Sequence, residues 1–158
     1  MKVIQSLWFE KDMEAAVRLY TSLVPGSTMG PVTALGAETP SGPPGSVKLV
    51  SFTLGDQSYR AIEAGPLDSF NHSFGITLEC DTQAEIDRLW QALLAGGGTE
   101  EQCGWLRDRW GMCWQIVPRR LGELMATSDA ARTKRVTAAM LKMVKLDIAA
   151  LEAAAASS

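Results

Sequence analysis

The pattern of residues 2–10, in which two polar residues interrupt a run of β-branched, leucine and aromatic side chains, predicts a β-strand whose side chains point alternately to two faces. Behind it, Asp12 is typical of a helix N-cap, and apolar residues recur at spacings of three and four as far as Leu23. Pro25 and Gly26 end this predicted helix. One face of the strand carries Val3, Gln5, Leu7 and Phe9, and the other carries Ile4, Ser6 and Trp8.

Turn-forming residues divide the next part of the chain into strands. We predict a weak strand over 27–37 and a long turn rich in proline and glycine over 39–45. A hairpin with strands over 47–55 and 58–63 follows, and a short linker over 65–69 ends this part.

The second half of the chain repeats this order. Thr82 and Glu85 form the capping-box pattern that begins a helix, and the glycine run at 96–98 ends it. A turn over 108–111 precedes the last strand, in which Gln115 is the one polar residue. The predicted strands of this half cover 74–80, the region near 99–107, and 112–117.

The two halves align without a gap at an offset of 70 residues. Arg18-Leu19-Tyr20 aligns with Arg88-Leu89-Trp90, Leu23-Val24 with Leu93-Leu94, and Gly26 with Gly96. We therefore predict an α+β fold with two tandem βαβββ modules, at 1–66 and 70–118, in a domain over 1–118.

The remaining residues, 119–158, predict a C-terminal helical extension. The expected caps of two helices in it are Thr127-Ser128-Asp129 for the first and Asp147 for the second. Its cations are interpreted as a solvated helix face rather than a binding patch. They are Arg132, Lys134, Arg135, Lys142 and Lys145.

Composition and charge exclude several classes of function. A chain of 158 residues with 46% hydrophobic and 21% charged residues suits one globular domain. The net charge of −3 argues against nucleic-acid binding, and no apolar run approaches the roughly 20 residues of a membrane span. The N-terminus lacks a secretory signal and the three cysteines lack metal spacing, so we expect a cytoplasmic protein with reduced thiols.

The chemistry-bearing motifs of common enzymes are absent from the sequence. His72 is the single histidine, so one chain cannot build a two-histidine metal site. No phosphate-binding loop, dinucleotide-binding glycine motif or Gly-x-Ser-x-Gly elbow occurs. We interpret His72 as a surface turn residue.

The repeat resembles the vicinal oxygen chelate superfamily, which includes glyoxalase I and the bleomycin-resistance proteins. Within it, the chain is most similar to PhnB-like proteins, which often carry the label 3-demethylubiquinone 3-methyltransferase. The likeness covers nearly the whole chain outside the loop around 36–46. It is carried by Ile4 to Phe9, Asp12 to Tyr20, Glu79 to Leu93, Gln102 to Asp108, Gly111, Trp114 to Pro118, and Met140 to Ile148.

The resemblance implies an open, glyoxalase-like half-barrel with a cleft between its modules. Superfamily enzymes hold a divalent metal there with ligands from the first and last strand of each module. The matching positions are Gln5, Gly75, Gln115 and either Ala61 or Glu63, a register that the sequence leaves open. Because neutral amides and a glycine replace stronger ligands, we expect no tight metal and no other cofactor.

The resemblance implies a homodimer that binds an unknown small organic molecule in this cleft. The methyltransferase label has no support in the residues, because no glycine-rich turn follows the first strand. The predicted ligand-binding residues on the concave face are Gln5, Leu7, Phe9, Glu63, Thr77, Glu79, Cys113 and Gln115.

Three alternatives remain open. The first is a metal-dependent lyase, isomerase or dioxygenase with Gln5, Glu63 and Gln115 as ligands and Glu63 or Glu79 as base. In the second, the same side chains fill a collapsed cleft. In the third, the protein binds no ligand and is retained for interactions of its dimer.

Overall fold

The computed structural model describes residues 1–157; Ser158, the last residue of the predicted extension, lies outside the described residues. The chain divides into two compact units, the first from Met1 to Asp68 and the second from Ser69 onward. No helix among the described residues is long and apolar enough to span a bilayer.

The first unit is a four-stranded sheet with one helix. Its sheet order is β1-β4-β3-β2, with β1 parallel to β4 and the other pairs antiparallel. The hairpin between β3 and β4 turns at Gly55, whose φ of 56° suits glycine. The elements are β1 (Gln5–Phe9), α1 (Met13–Leu23), β2 (Thr33–Ala34), β3 (Lys48–Leu54) and β4 (Gln57–Glu63).

The second unit repeats this topology, with the sheet order β5-β8-β7-β6. The predicted capping box begins its helix, because the Thr82 side chain accepts from the Glu85 N–H and the Glu85 carboxylate accepts from the Thr82 N–H. The elements are β5 (Ile76–Cys80), α2 (Gln83–Leu94), β6 (Thr99–Glu100), β7 (Trp105–Arg107) and β8 (Cys113–Pro118).

The two modules differ by one residue between the first strand and the helix. Three residues separate β1 from α1, whereas two separate β5 from α2. The helices therefore align at an offset of 70, with Tyr20 and Trp90 both buried, but the strands align at 71, with Phe9 and Cys80 both buried. The predicted alignment without a gap is wrong at this turn, where Asp12 takes a left-handed φ of 59°.

Because of the extra residue, the alignment without a gap assigns the wrong face of β1 to the core. A shift of one residue moves every side chain of a strand to the opposite face of the sheet. The buried residues of β3 and β4 point to the same face of the sheet as Leu7 and Phe9. Glu63 also lies on this face, and its carboxylate accepts a hydrogen bond from the N–H of Met13, the first residue of α1. This face of the first sheet therefore packs against α1.

Three further helices form the C-terminal extension: α3 (Arg119–Met125), α4 (Ala130–Met140) and α5 (Ile148–Ala156). The predicted caps are confirmed, since Asp129 accepts from Ala131 and Arg132 N–H and Asp147 from Ala150 N–H. The helices share a small core, and the turn at Cys103 and Gly104 attaches them to the second sheet. That core contains Leu124, Val136 and Leu151.

Candidate functional site

Two residues predicted to line an open cleft lie in the core instead. Leu7 and Phe9 are each 2% exposed, and Ala61, which pairs with Leu7, is fully buried. Because the sheet covers them on one side and α1 on the other, no ligand contacts them without unfolding this layer. The opposite face of β1 and β4 carries Ser6, Trp8, Arg60 and Ile62.

Gln5 and Glu63 also belong to the α1 side of the first sheet, but at opposite ends of it. Gln5 pairs with Tyr59 and Glu63 with Phe9, so four residues, or about 13 Å, separate them along the strands. The Gln5 Oε1 atom is buried and has no hydrogen-bond partner among the described residues. Glu63 is engaged with Lys48 Nζ at 2.9 Å and with the Met13 N–H at 3.0 Å.

The Glu63 contacts give a prediction for stability against pH. Partial burial favours a higher pKa for Glu63, but the bonds from Lys48 and Met13 outweigh it and leave the pKa below its usual value. The stabilisation is then complete above the ordinary glutamate pKa and is lost as the pH falls through the lowered folded-state pKa. Glu63→Gln should cost about 1 kcal/mol near neutral pH.

Denaturant unfolding of Glu63→Gln and the parent at about pH 7 and about pH 3 measures this effect. The difference should shrink at the acidic pH, where the parent has lost the same interactions. Glu38→Gln is the control, because Glu38 is exposed and its carboxylate makes no hydrogen bond or ion pair among residues 1–157. A loss in Glu63→Gln that stays constant with pH would contradict the assignment.

In the second module, the predicted residues share the sheet face opposite to α2. Thr77 and Glu79 of β5 have the same parity as Cys113 and Gln115 of β8, and Thr77 is the direct partner of Gln115. The other face carries Glu100, whose carboxylate accepts from Trp90 Nε1 of α2 at 2.8 Å. We call the face that carries Thr77 and Gln115, opposite to α2, the open face of the second module. It comprises Thr77, Glu79, Trp105, Arg107, Cys113 and Gln115.

Trp105 is the largest side chain on the open face. It lies on β7, yet a Cβ built on Gly75, two strands away, would lie 2.7 Å from its ring atom Cζ3. The indole therefore extends across β8 and occupies the place of a side chain at position 75. It covers this part of the face, where Cys113 is 0% exposed and burial raises the pKa of its thiol.

A chain of hydrogen bonds borders the indole. Glu101 accepts from Arg107 Nε and His72 Nε2, both at 2.8 Å, and the His72 ring meets the Trp105 ring edge-on at 5.6 Å. Burial favours a higher pKa for Glu101, but the hydrogen bonds from Arg107 and His72 outweigh it. The pKa of Glu101 therefore lies below its usual value, and the carboxylate stays ionised. His72 is thus part of the border of this face, a role that its position beside the predicted linker did not indicate.

The residues do not fit the metal centre that the superfamily resemblance implies. Among residues 1–157, no three side chains of the types His, Cys, Asp and Glu cluster as a metal site requires. Glu63 is occupied by Lys48 and an N–H group, and the Trp105 indole takes the space at Gly75. Gln5 and Gln115 remain, and two neutral amides are weak ligands for a first-row transition ion.

Three solved structures have similar folds. The PhnB protein from Bacillus cereus is 28% identical with a TM-score of 0.64, and the alignment covers 75% of this chain and 99% of that one. Protein PA1353 from Pseudomonas aeruginosa is 21% identical, with a TM-score of 0.55 and coverage of 75% and 97%. The fosfomycin resistance protein FosX from Mesorhizobium loti is 14% identical, with a TM-score of 0.54 and coverage of 80% and 98%. No curated protein matches the chain.

These similarities confirm the predicted α+β fold of the glyoxalase type, with two open four-stranded sheets. The model of the 3-demethylubiquinone-9 3-methyltransferase family matches residues 1–117, which is nearly all of the two modules. The C-terminal extension lies beyond that match. The chain therefore belongs to this family of PhnB-like proteins.

Proposed function

We propose that this protein binds a small organic molecule on the open face of the second module and holds no resident metal ion there. One observation carries the proposal: the Trp105 indole spreads across the sheet beside the Gln115 amide, on the face that α2 leaves free. Flat aromatic surface next to a few fixed polar groups is the usual composition of a small-molecule site.

The family label alone does not support a methyl-transfer reaction in this chain. A fold and its family do not fix a reaction, which depends on the groups at the site. The first strand of each module is followed by polar residues rather than by a glycine-rich turn that would hold a nucleotide cofactor. We therefore propose a binding function and assign no catalytic residue.

A thermal-shift screen with small aromatic and heterocyclic compounds tests the binding. A compound at about 100 times its Kd should stabilise the folded state by about 2.7 kcal/mol, which raises the Tm. Trp105→Leu should abolish the shift, whereas Trp8→Leu, which changes a tryptophan of the first sheet, should keep it. A shift that survives Trp105→Leu and is lost in Trp8→Leu would move the site to the first module.

Metal analysis of protein purified without chelators tests the second part of the proposal. We expect far less than one equivalent of zinc, manganese, iron or cobalt per chain. One equivalent that disappears in Gln115→Ala would refute the proposal and support the alternative of a metal-dependent enzyme.

We further propose that the protein acts in the cytoplasm as a homodimer. Its three cysteines are free, which suits a reducing compartment. Light scattering at micromolar concentration should give twice the chain mass of 17.1 kDa. A mass of one chain would contradict the dimer without affecting the binding site, whose residues all come from the second unit.

A further inference from the structure

We infer that the open face selects aromatic ligands that carry a carbonyl or carboxylate oxygen, because Gln115 presents a hydrogen-bond donor there. This inference rests on the proposed function and adds the chemical class of the ligand. Gln115 is the residue that determines the selection, and Trp105 supplies the surface on which the ring stacks.

The orientation of the Gln115 amide is fixed by two neighbours of different chemistry. Its Nε2 lies 3.4 Å from the backbone oxygen of Cys103, and its Oε1 lies 3.3 Å from the Thr77 hydroxyl. A carbonyl oxygen accepts only, so the group facing Cys103 must be the NH2 group. The Thr77 hydroxyl then donates to Oε1, and the second N–H of Nε2 has no partner among residues 1–157.

The backbone that supplies this carbonyl is itself held in place. Cys103 has a left-handed φ of 59°, which is unusual for a residue with a side chain. Its N–H donates to the Met143 oxygen at 2.8 Å, and the Gly104 N–H donates to the Val144 oxygen at 2.7 Å. The C-terminal extension thereby fixes the turn whose carbonyl orients the Gln115 side chain.

The position of Gln115 relative to the indole makes the second N–H useful to a ligand. Trp105 and Gln115 are direct partners of an antiparallel pair, so their Cβ atoms lie about 5 Å apart. A ring stacked on the indole would place an oxygen substituent within reach of Gln115 Nε2. Such an oxygen accepts a hydrogen bond from the free N–H, whereas an ammonium group facing the same N–H is itself a donor and gains no hydrogen bond from it.

Charges of both signs lie around the face, so the selection depends on the Gln115 donor rather than on net charge. Arg107 lies two residues from Trp105 on the same strand, and only its Nε atom bonds to Glu101. The Glu101 carboxylate is already paired with Arg107 and His72. Glu79, two residues beyond Thr77 on β5, places a negative charge on this face that offsets the attraction of Arg107 for a carboxylate. A neutral ketone is therefore expected to bind as well as a carboxylate.

Three naphthalene probes test the selection by titration calorimetry: 2-acetonaphthone, 2-naphthoate and the 2-naphthylmethylammonium ion. The two oxygen acceptors should bind at least tenfold more tightly than the ammonium ion, the ratio that about 1.4 kcal/mol gives. In Gln115→Glu, a carboxylate replaces the donor, so the order should reverse. Gln115→Met, which removes both donor and acceptor, should abolish the preference without reversing it.

Gln91→Glu is the matched control, because it makes the same chemical change on an exposed position of α2, away from the open face. It should leave all three affinities unchanged. Equal or tighter binding of the ammonium ion by the parent, or an unchanged order in Gln115→Glu, would overturn the inference. The absence of binding by all three probes up to about 1 mM would also overturn it.

The same experiment separates this inference from the proposed function. If Trp105→Leu abolishes binding of all three probes while Gln115→Glu leaves their order unchanged, the open face binds aromatic compounds and the selection by Gln115 is wrong. If Trp105→Leu leaves every measured affinity intact, the probes bind elsewhere, and the proposed function and the inference both fail.

Discussion

Asp108→Ala is expected to lower the free energy of unfolding by about 3–5 kcal/mol, which is among the largest effects that we predict for this protein. Asp108 is 3% exposed, and its carboxylate accepts hydrogen bonds from the N–H groups of Trp110 and Met112 and from Trp114 Nε1. These distances lie between 2.9 and 3.1 Å. Alanine would leave buried donors without an acceptor, and that penalty exceeds the value of the bonds themselves.

Denaturant unfolding of Asp108→Ala and Asp108→Asn measures the effect. The asparagine oxygen can still accept from the backbone N–H groups, but its NH2 group then faces the Trp114 Nε1 donor. The loss of stability in Asp108→Asn should therefore be intermediate. Asp56→Ala, at the exposed tip of the first hairpin, is the control and should change stability by less than about 0.5 kcal/mol. A loss below about 1 kcal/mol in Asp108→Ala would show that the turn does not depend on this carboxylate.

Gly104→Ala is expected to cost about 3 kcal/mol or more, because two independent effects add at this position. Gly104 has a φ of 81°, which disfavours any side chain. A Cβ there would also lie 2.6 Å from the backbone oxygen of Ile116, an atom that cannot move without disturbing β8. The same change should weaken binding on the open face, because the adjacent Cys103 carbonyl orients Gln115.

Gly122→Ala is the matched control for this glycine. Gly122 lies inside α3, and a Cβ built on it has no atom within 4 Å. Alanine should therefore stabilise the protein by about 0.5–1 kcal/mol through its helix propensity. Thermal unfolding of both variants checks the pair; equal effects of the two substitutions would contradict the backbone argument.

The sequence predicts most of the elements because their signals are local. The capping box at Thr82 and Glu85 and the aspartate caps at 129 and 147 lie within four residues of the helices that they begin. Helix α3 was not predicted separately, because Pro118 lets it follow β8 directly, without a side-chain cap. Local chemistry of this kind fixes where an element begins but not which face it buries.

The face assignment was right in the second module and wrong in the first, for one physical reason. Alternation defines two faces of a strand, and only packing decides which of them meets the helix. Thr77 and Gln115 were placed on a common face correctly, since the register pairs them directly. Leu7 and Phe9 were misplaced because a turn longer by one residue is invisible when the helices align without a gap.

The surroundings of the candidate site could not be predicted from the sequence. Trp105 contacts position 75 across an intervening strand, and Glu101 joins His72 to Arg107. These partners are brought together by sheet register and loop path, neither of which leaves a pattern of neighbouring residues. A glycine where the superfamily resemblance expects a ligand was the one available sign that another side chain takes that space.

The additional residue before α1 has a consequence for comparing the two halves of this chain. The turn absorbs it, so that equivalent faces of β1 and β5 meet their helices, with Phe9 and Cys80 both buried. An alignment without a gap instead equates each residue of β1 with a residue on the opposite face of β5. A comparison of the two halves of this chain must therefore place a gap at the turn that contains Asp12, or it will equate interior positions of one half with solvent-facing positions of the other.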